Sequence, residues 1–387
     1  MNIAGITILL LMLGFFKYCE FFVNSVRSIV GFDDVTLNII LPMGISFYTF
    51  TAISYLIDVY HRKYEAEKNI LNFSLFIAFF PKLTAGPIVR GDCFLPQAKC
   101  YKGIRLDNLE TGIQVFVIGL FKKMVLADHL GVFVDDVFSA PSAYNTFTVF
   151  WAVLSYALQI YFDFSGYSDI ATGLAKMVGF DFPRNFNLPY ISAGMSDFWK
   201  RWHISLSSWF QDYVYIPLGG SRKGKGRTYL NLFLVMLLSG LWHGAGWTFV
   251  LWGAIHGVVC CVSRRILECE DKSIQILKRI VTFITVSLLW IVFRANSVNN
   301  AVLIYKSLFI WHTGIMHPYT WTFFSIIVLV ISTLTAVIKS RDRKRIDGFY
   351  PILRLNRVWT LTVFFTFTGL TIILAYFGNT AFIYGKF

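Results

Sequence analysis

Seven stretches of this chain, near residues 3–23, 37–57, 145–164, 246–263, 280–294, 320–338 and 358–377, are apolar over close to the length a helix needs to cross a bilayer. A hydrocarbon core about 30 Å thick takes about 20 such residues. Shorter or interrupted apolar runs lie near 70–90, 111–135, 228–241 and 300–311. Because backbone N–H and C=O groups find no water in lipid, segments of this kind fold as helices. The expectation is an all-α polytopic membrane protein of about eight to eleven membrane helices, with re-entrant elements. Residues 1–387 read as one membrane-embedded domain, since all spans share one bilayer. Composition agrees: 56% of the residues are hydrophobic and only 15% charged. The N-terminal stretch lacks a basic flank and a small-residue cleavage site, so it reads as a retained span.

A net charge of +13 in a soluble protein would raise the question of nucleic acid. Here the basic residues gather in short loops between apolar runs, the pattern that marks the cytoplasmic side, and no nucleic-acid partner is expected. The loop 339–345 with Arg354 and Arg357, and the stretch Arg264, Arg265, Lys272, Lys278 and Arg279, both read as cytoplasmic. Segments 280–294 and 320–338 then cross out and back, leaving 295–319 outside. The basic segment 221–227 reads the same way, which makes 228–263 a hairpin entering and leaving on one side. Fourteen residues of rise lift its WHGAGW tip, and His243 with it, by roughly 21 Å. The segment 79–91, with two prolines, two glycines, Lys82 and Arg90 after an apolar run, reads as a re-entrant or loop element.

The six cysteines show no paired CxxC spacing, so neither a zinc site nor a disulfide framework is indicated; Cys93 and Cys100 are the weak exception. No GxSxG elbow and no HExxH is present, and no metal or bound cofactor is expected. Polar and aromatic residues are densest between 159 and 257. Gln159, Asp163 and Gly166 share a helical stripe with Asp169 nearby, a pattern open between hydrogen-bonded helix packing and function. Asp197, Trp199, Lys200, Arg201, Trp202 and His203 stand together, where an amphipathic surface helix competes with a site. In LSGLWHGAGWTFVLWGAIHG (238–257), Gly240, Gly244, Gly246 and Gly253 suggest open space around His243, walled by Trp242 and Trp247. An ionisable group at membrane depth is a functional candidate, and an imidazole suits proton transfer near neutral pH. His256, thirteen residues on, reads as structural.

The succession LPMGISFYTFTAISYLIDVYHRK (41–63), FFPKLTAGPIVR (79–90), YFDFSGYSDIATG (161–173), FNLPYISAGMSDFWKRWHISLSSWFQDYVYIPLGG (186–220) and SGLWHGAGWTFVLWGAIHG (239–257) resembles the membrane-bound O-acyltransferase family, in its bacterial alginate O-acetyltransferase branch. The resemblance runs from about residue 37 to the C-terminus and is tightest over 37–263. It implies a bundle with a central tunnel in the bacterial inner membrane. It also implies that the catalytic histidine of the family's WHG motif is His243, and that the second characteristic position, in WHxSLS, is His203. YIPLGGSRKGKGR (215–227) looks like the alginate-type branch and not the D-alanyl branch. Members usually carry more N-terminal helices before the LPMGISFYTF segment than the roughly forty residues found here, so the resemblance implies a chain that starts late. The implied chemistry is acyl transfer from cytoplasmic acetyl-CoA, a substrate and not a resident cofactor, near Trp199, Arg201 and Trp242. The implied acceptor is an exported polysaccharide, reached through an extracytoplasmic partner protein. D-alanyl or peptidoglycan O-acyl transfer is the neighbouring alternative. A polymer-precursor transporter is the alternative from another class, and the absence of an internal repeat weakens it.

Overall fold

The computed structural model describes residues 2–266, 274–341 and 357–378. Cys269, Lys272, Arg354 and the end of the basic 339–345 loop lie outside the described residues. Among the described residues every regular element is a helix. Four helices, Ile3–Val30, Thr146–Met177, Trp247–Arg265 and Gln275–Arg294, are long and apolar enough to cross a membrane, and Thr320–Thr335 and Val358–Leu374 are shorter apolar helices. The chain is a multi-pass membrane protein. Other helices of the bundle include Ile45–Tyr60 and Leu106–Leu120, shorter at 16 and 15 residues, and Gly224–His243, which opens on the exposed Lys225 and Arg227.

The helix Thr146–Met177 is the central post. Asn145 caps it by accepting from the Thr148 amide at 2.8 Å, and it ends before Gly179, whose φ of 91° stops the helix. It runs antiparallel to Leu106–Leu120, and two glycine pairs let the backbones meet. A Cβ on Gly112 would lie 2.6 Å from the Gly173 carbonyl, and one on Gly119 would lie 2.7 Å from that of Gly166. Close approach over small residues is how helices associate in lipid, where no hydrophobic force drives them together.

The partner helix passes through a π-helical turn, Phe121–Ala127, before continuing as Asp128–Ser139. That turn presents Lys122 and Lys123 to the central post. Lys122 pairs with Asp169 at 2.5 Å, and Lys123 pairs with both Asp163 and Asp128 at 2.7 Å. The two aspartates flagged in the sequence are therefore partners in ion-paired helix packing, which satisfies carboxylates that could not stand alone in hydrocarbon.

The segment 79–91 is non-helical apart from the short helix Phe80–Leu83 and Gly91, which opens the helix Gly91–Lys99, and Ala85, Gly86, Pro87, Ile88 and Val89 are buried in protein. Irregular backbone is tolerated at depth on that condition. The Ile88 amide donates to Ser205 Oγ at 3.0 Å, and Arg90 pairs with Asp212 at 3.2 Å, tying the loop to the segment after His203.

The hairpin expected over 228–263 is present as Gly224–His243 and Trp247–Ile266, with its two ends meeting where Arg264 donates to Ser221 Oγ at 3.5 Å. Loop 140–146 and residues 310–317 meet at the opposite end: the Asn145 amide donates to the Ile315 carbonyl at 3.2 Å and the Ile315 amide to that of Ala143 at 2.9 Å.

Candidate active site

His243 is the last residue of its helix; Gly244 then turns the chain out in extended conformation. The imidazole is 2% exposed and sits among the rings of Trp242, Trp252 and Phe293, with centroids 5.1, 5.3 and 5.2 Å away. The reading of the nearby glycines as open space needs correction. A Cβ on Gly240 would lie 2.3 Å from the Phe249 carbonyl, and one on Gly253 would lie 2.6 Å from that of Met236. A Cβ on Gly244 would meet the Phe249 ring at 2.2 Å. These glycines are filled by neighbouring backbone and ring atoms, and their function is to let the hairpin helices close. Gly246 alone of the four has ordinary clearance, with its nearest contact at 3.6 Å.

His203 also neighbours Trp242, with ring centroids 5.8 Å apart, and lies edge-on to Phe164 at 4.6 Å. It is 0% exposed, so the segment Met195–Phe210 enters the bundle and does not lie along the surface. The backbone explains how. His203 adopts φ 43°, ψ 55°, a left-handed turn between the helices Met195–Trp199 and Ile204–Phe210. A bulky residue holds that conformation only where its surroundings impose it. Here Asn185 imposes it: its carbonyl accepts from the Ile204 amide at 2.9 Å, and its side chain accepts from Ser205 Oγ at 2.8 Å and donates to Ser168 at 3.2 Å.

Trp242 is thus a neighbour of both candidate imidazoles, and it packs on Phe50 at 5.6 Å and edge-on to Phe47 at 5.3 Å. Trp199 reaches the same cluster from the outer turn, edge-on to Trp252 at 5.9 Å and to His256 at 5.3 Å. Arg201, by contrast, is committed locally: Nε pairs with Asp197 at 2.7 Å and Nη1 donates to the Asn187 carbonyl at 3.3 Å. Trp247 is 58% exposed and packs on Phe21 at 5.5 Å, so it walls an outer cleft and not the imidazole itself.

His256, read from the sequence as structural, is 0% exposed and packs 4.4 Å from Trp252. Sequence reasoning missed two contributors. Lys17 and Tyr18, from the N-terminal helix, hold the end of the His243 helix. The signal for Lys17 was a single basic residue inside an apolar run, the mark of a group with a task at depth.

Two cavities approach the site without being lined by either candidate histidine. One cleft is lined by Lys17, Glu20, Phe21, Asn24, Ala245, Gly246 and Trp247 among others, and reaches the residues just after His243. The second, bounded by Lys122, Asp169, Arg184, Asn185 and Phe186 among others, reaches the residues that fix the His203 turn. Among the described residues no group of three or more His, Cys, Asp or Glu side chains gathers as metal ligands.

The fold is a helical membrane bundle that buries His203 and His243 beside the same indole, Trp242, with cavities reaching residues next to each. Residues 65–305 match MBOAT, the membrane-bound O-acyltransferase family, and the chain belongs to that family. It is 44% identical over 310 residues to the probable alginate O-acetylase AlgI of Azotobacter vinelandii, covering 79% of this chain and 62% of that protein. It is 38% identical over 336 residues to the peptidoglycan O-acetyltransferase of Helicobacter pylori, covering 79% of this chain and 64% of the relative. It is 30% identical over 231 residues to the teichoic acid D-alanyltransferase of Bacillus subtilis, covering 57% and 58%. The chain spans about three fifths of the length of the first two of these relatives.

Proposed function

We propose that this chain is an O-acyltransferase of the bacterial inner membrane, moving an acetyl group from cytoplasmic acetyl-CoA toward an exported polysaccharide, through an extracytoplasmic partner. The observation that carries the reading is the placement of His243 at the apex of a hairpin whose two ends share one side of the bundle, with His203 buried against the same Trp242 ring. The family and the alginate O-acetylase relative support it.

In the proposed reaction His243 takes the proton from an acceptor hydroxyl as its oxygen attacks the thioester carbonyl carbon. The carbon–sulfur bond breaks, and the CoA sulfur leaves with the electron pair and gains a proton. A positioned base of this kind supplies roughly 10²–10⁴-fold, and the rest comes from orientation in a water-poor site. The acceptor approaches by the cleft beside Gly246 and Trp247. The donor approaches from the opposite face, where His203, Trp199 and Trp242 line its path; the Asp197 ion pair of Arg201 argues against a direct donor contact for that residue. The Helicobacter pylori relative keeps peptidoglycan as the neighbouring acceptor reading.

A CoA thioester separates this reading from that of a polymer-precursor transporter. Purified protein in detergent is expected to bind acetyl-CoA saturably, as measured by equilibrium dialysis of the labelled thioester. No saturable binding would contradict the acyltransferase reading.

A further inference from the structure

The helix Gly224–His243 ends inside protein, and the last four carbonyls of any helix lack partners within it. In a soluble protein water would serve them; at membrane depth an unmet carbonyl costs several kcal/mol. The N-terminal helix supplies the partners. Tyr18 Oη donates to the Leu241 carbonyl at 2.6 Å. Lys17 Nζ donates to the Trp242 carbonyl at 2.6 Å and to Ser46 Oγ at 3.1 Å, and lies 3.5 Å from the His243 carbonyl.

Two consecutive residues can serve one helix end because Gly14–Tyr18 is a π-helical turn. With i→i+5 bonding, successive side chains are separated by a smaller angle than in an α-helix, so both face the same neighbour. The ammonium also opposes the negative end of the helix dipole. On its other side Lys17 lines the outer cleft with Gly246 and Trp247, so one side chain joins the acceptor path to the backbone of the proposed base.

We infer that Lys17 and Tyr18 are positioning residues for His243: they terminate its helix at that residue and so fix where the imidazole points. The inference rests on the acyl-transfer reading for its kinetic form, but its structural form is independent of it.

The test uses the full chain in membranes of cells that make the polymer and its extracytoplasmic partner, with release of free CoA thiol from added acetyl-CoA as the readout. Lys17→Met is expected to lower kcat by about 10- to 100-fold, with KM for acetyl-CoA changed by no more than about twofold, because a base misplaced by about 1 Å loses rate and not donor affinity. Lys17→Arg should restore part of the loss, since a guanidinium reaches the same carbonyls. Tyr18→Phe, which removes a single hydroxyl, should lower kcat by about fivefold in the same manner, and it carries the test if Lys17→Met fails to accumulate. Wild-type kcat in both variants, or a loss confined to KM, would overturn the inference. A cryo-EM structure of Lys17→Met, or of Tyr18→Phe in its place, tests it without reference to turnover. The His243 ring is expected to move by about 1 Å or more; an unmoved ring would overturn the positioning role even if the wild-type protein proved to transfer no acetyl group.

Discussion

Replacing His243 by phenylalanine or alanine is expected to abolish acetyl transfer while the protein still inserts in the membrane. The phenylalanine variant is the more telling of the two. The imidazole contacts Trp242, Trp252 and Phe293 edge-on, at centroid separations between 5.1 and 5.3 Å, and a phenyl ring can keep those contacts. It cannot accept a proton. The expected loss of turnover is at least about 10²–10⁴-fold, the usual contribution of a positioned general base. The thermal midpoint of His243→Phe should stay close to wild type, whereas His243→Ala should lower it by leaving a cavity among aromatic rings. The O-acetyl content of the polymer made by cells carrying each variant gives the readout. Normal acetylation with His243→Phe would remove the residue from the mechanism.

The largest effect on stability is expected at Lys123. Its ammonium serves Asp163 on the central helix and Asp128 on its own, both at 2.7 Å, and both carboxylates are buried. Removing one member of a buried ionic group leaves charge without compensation and costs on the order of 3–5 kcal/mol. Lys123→Ala should therefore reduce the folded protein recovered from membranes and lower its thermal midpoint in fluorescence-detected size-exclusion chromatography. Replacing the group together, as Lys123→Met, Asp128→Asn and Asp163→Leu, should recover most of that loss, because apolar packing of similar volume often matches a buried ion pair. A Lys123→Ala protein as stable as wild type would show that these charges contribute nothing to the fold.

What the sequence disclosed was what depends on local pattern. Apolar run length gave the helical membrane class, and basic clusters at 221–227 and 264–265 set the hairpin whose ends Arg264 and Ser221 bring together. The buried loop at 84–90 was legible because prolines and glycines interrupt an apolar run. What it concealed depends on distant partners. Lys17 reaches the Trp242 carbonyl across 225 residues of chain, and no periodicity near either residue signals the contact. Lys122 reaches Asp169 across 47 residues by way of a π-helical turn, an irregularity that hydrophobic spacing does not encode. The glycines around His243 were misread for a related reason. A missing Cβ announces that something comes close, but whether it is solvent, substrate or the next helix is decided by packing. At Gly240 and Gly253 it is the facing helix.

The central claim is that an acyl group crosses the bilayer at the imidazole of His243, with donor and acceptor arriving from opposite faces. The most direct measurement is made on membrane vesicles of one orientation from cells that make the polymer, with labelled acetyl-CoA confined to the side of residues 221–227 and the polymer with its extracytoplasmic proteins confined to the other. Label appearing on the polymer side, and absent with His243→Phe, is the expected result. Transfer only when donor and acceptor share one compartment would contradict the claim.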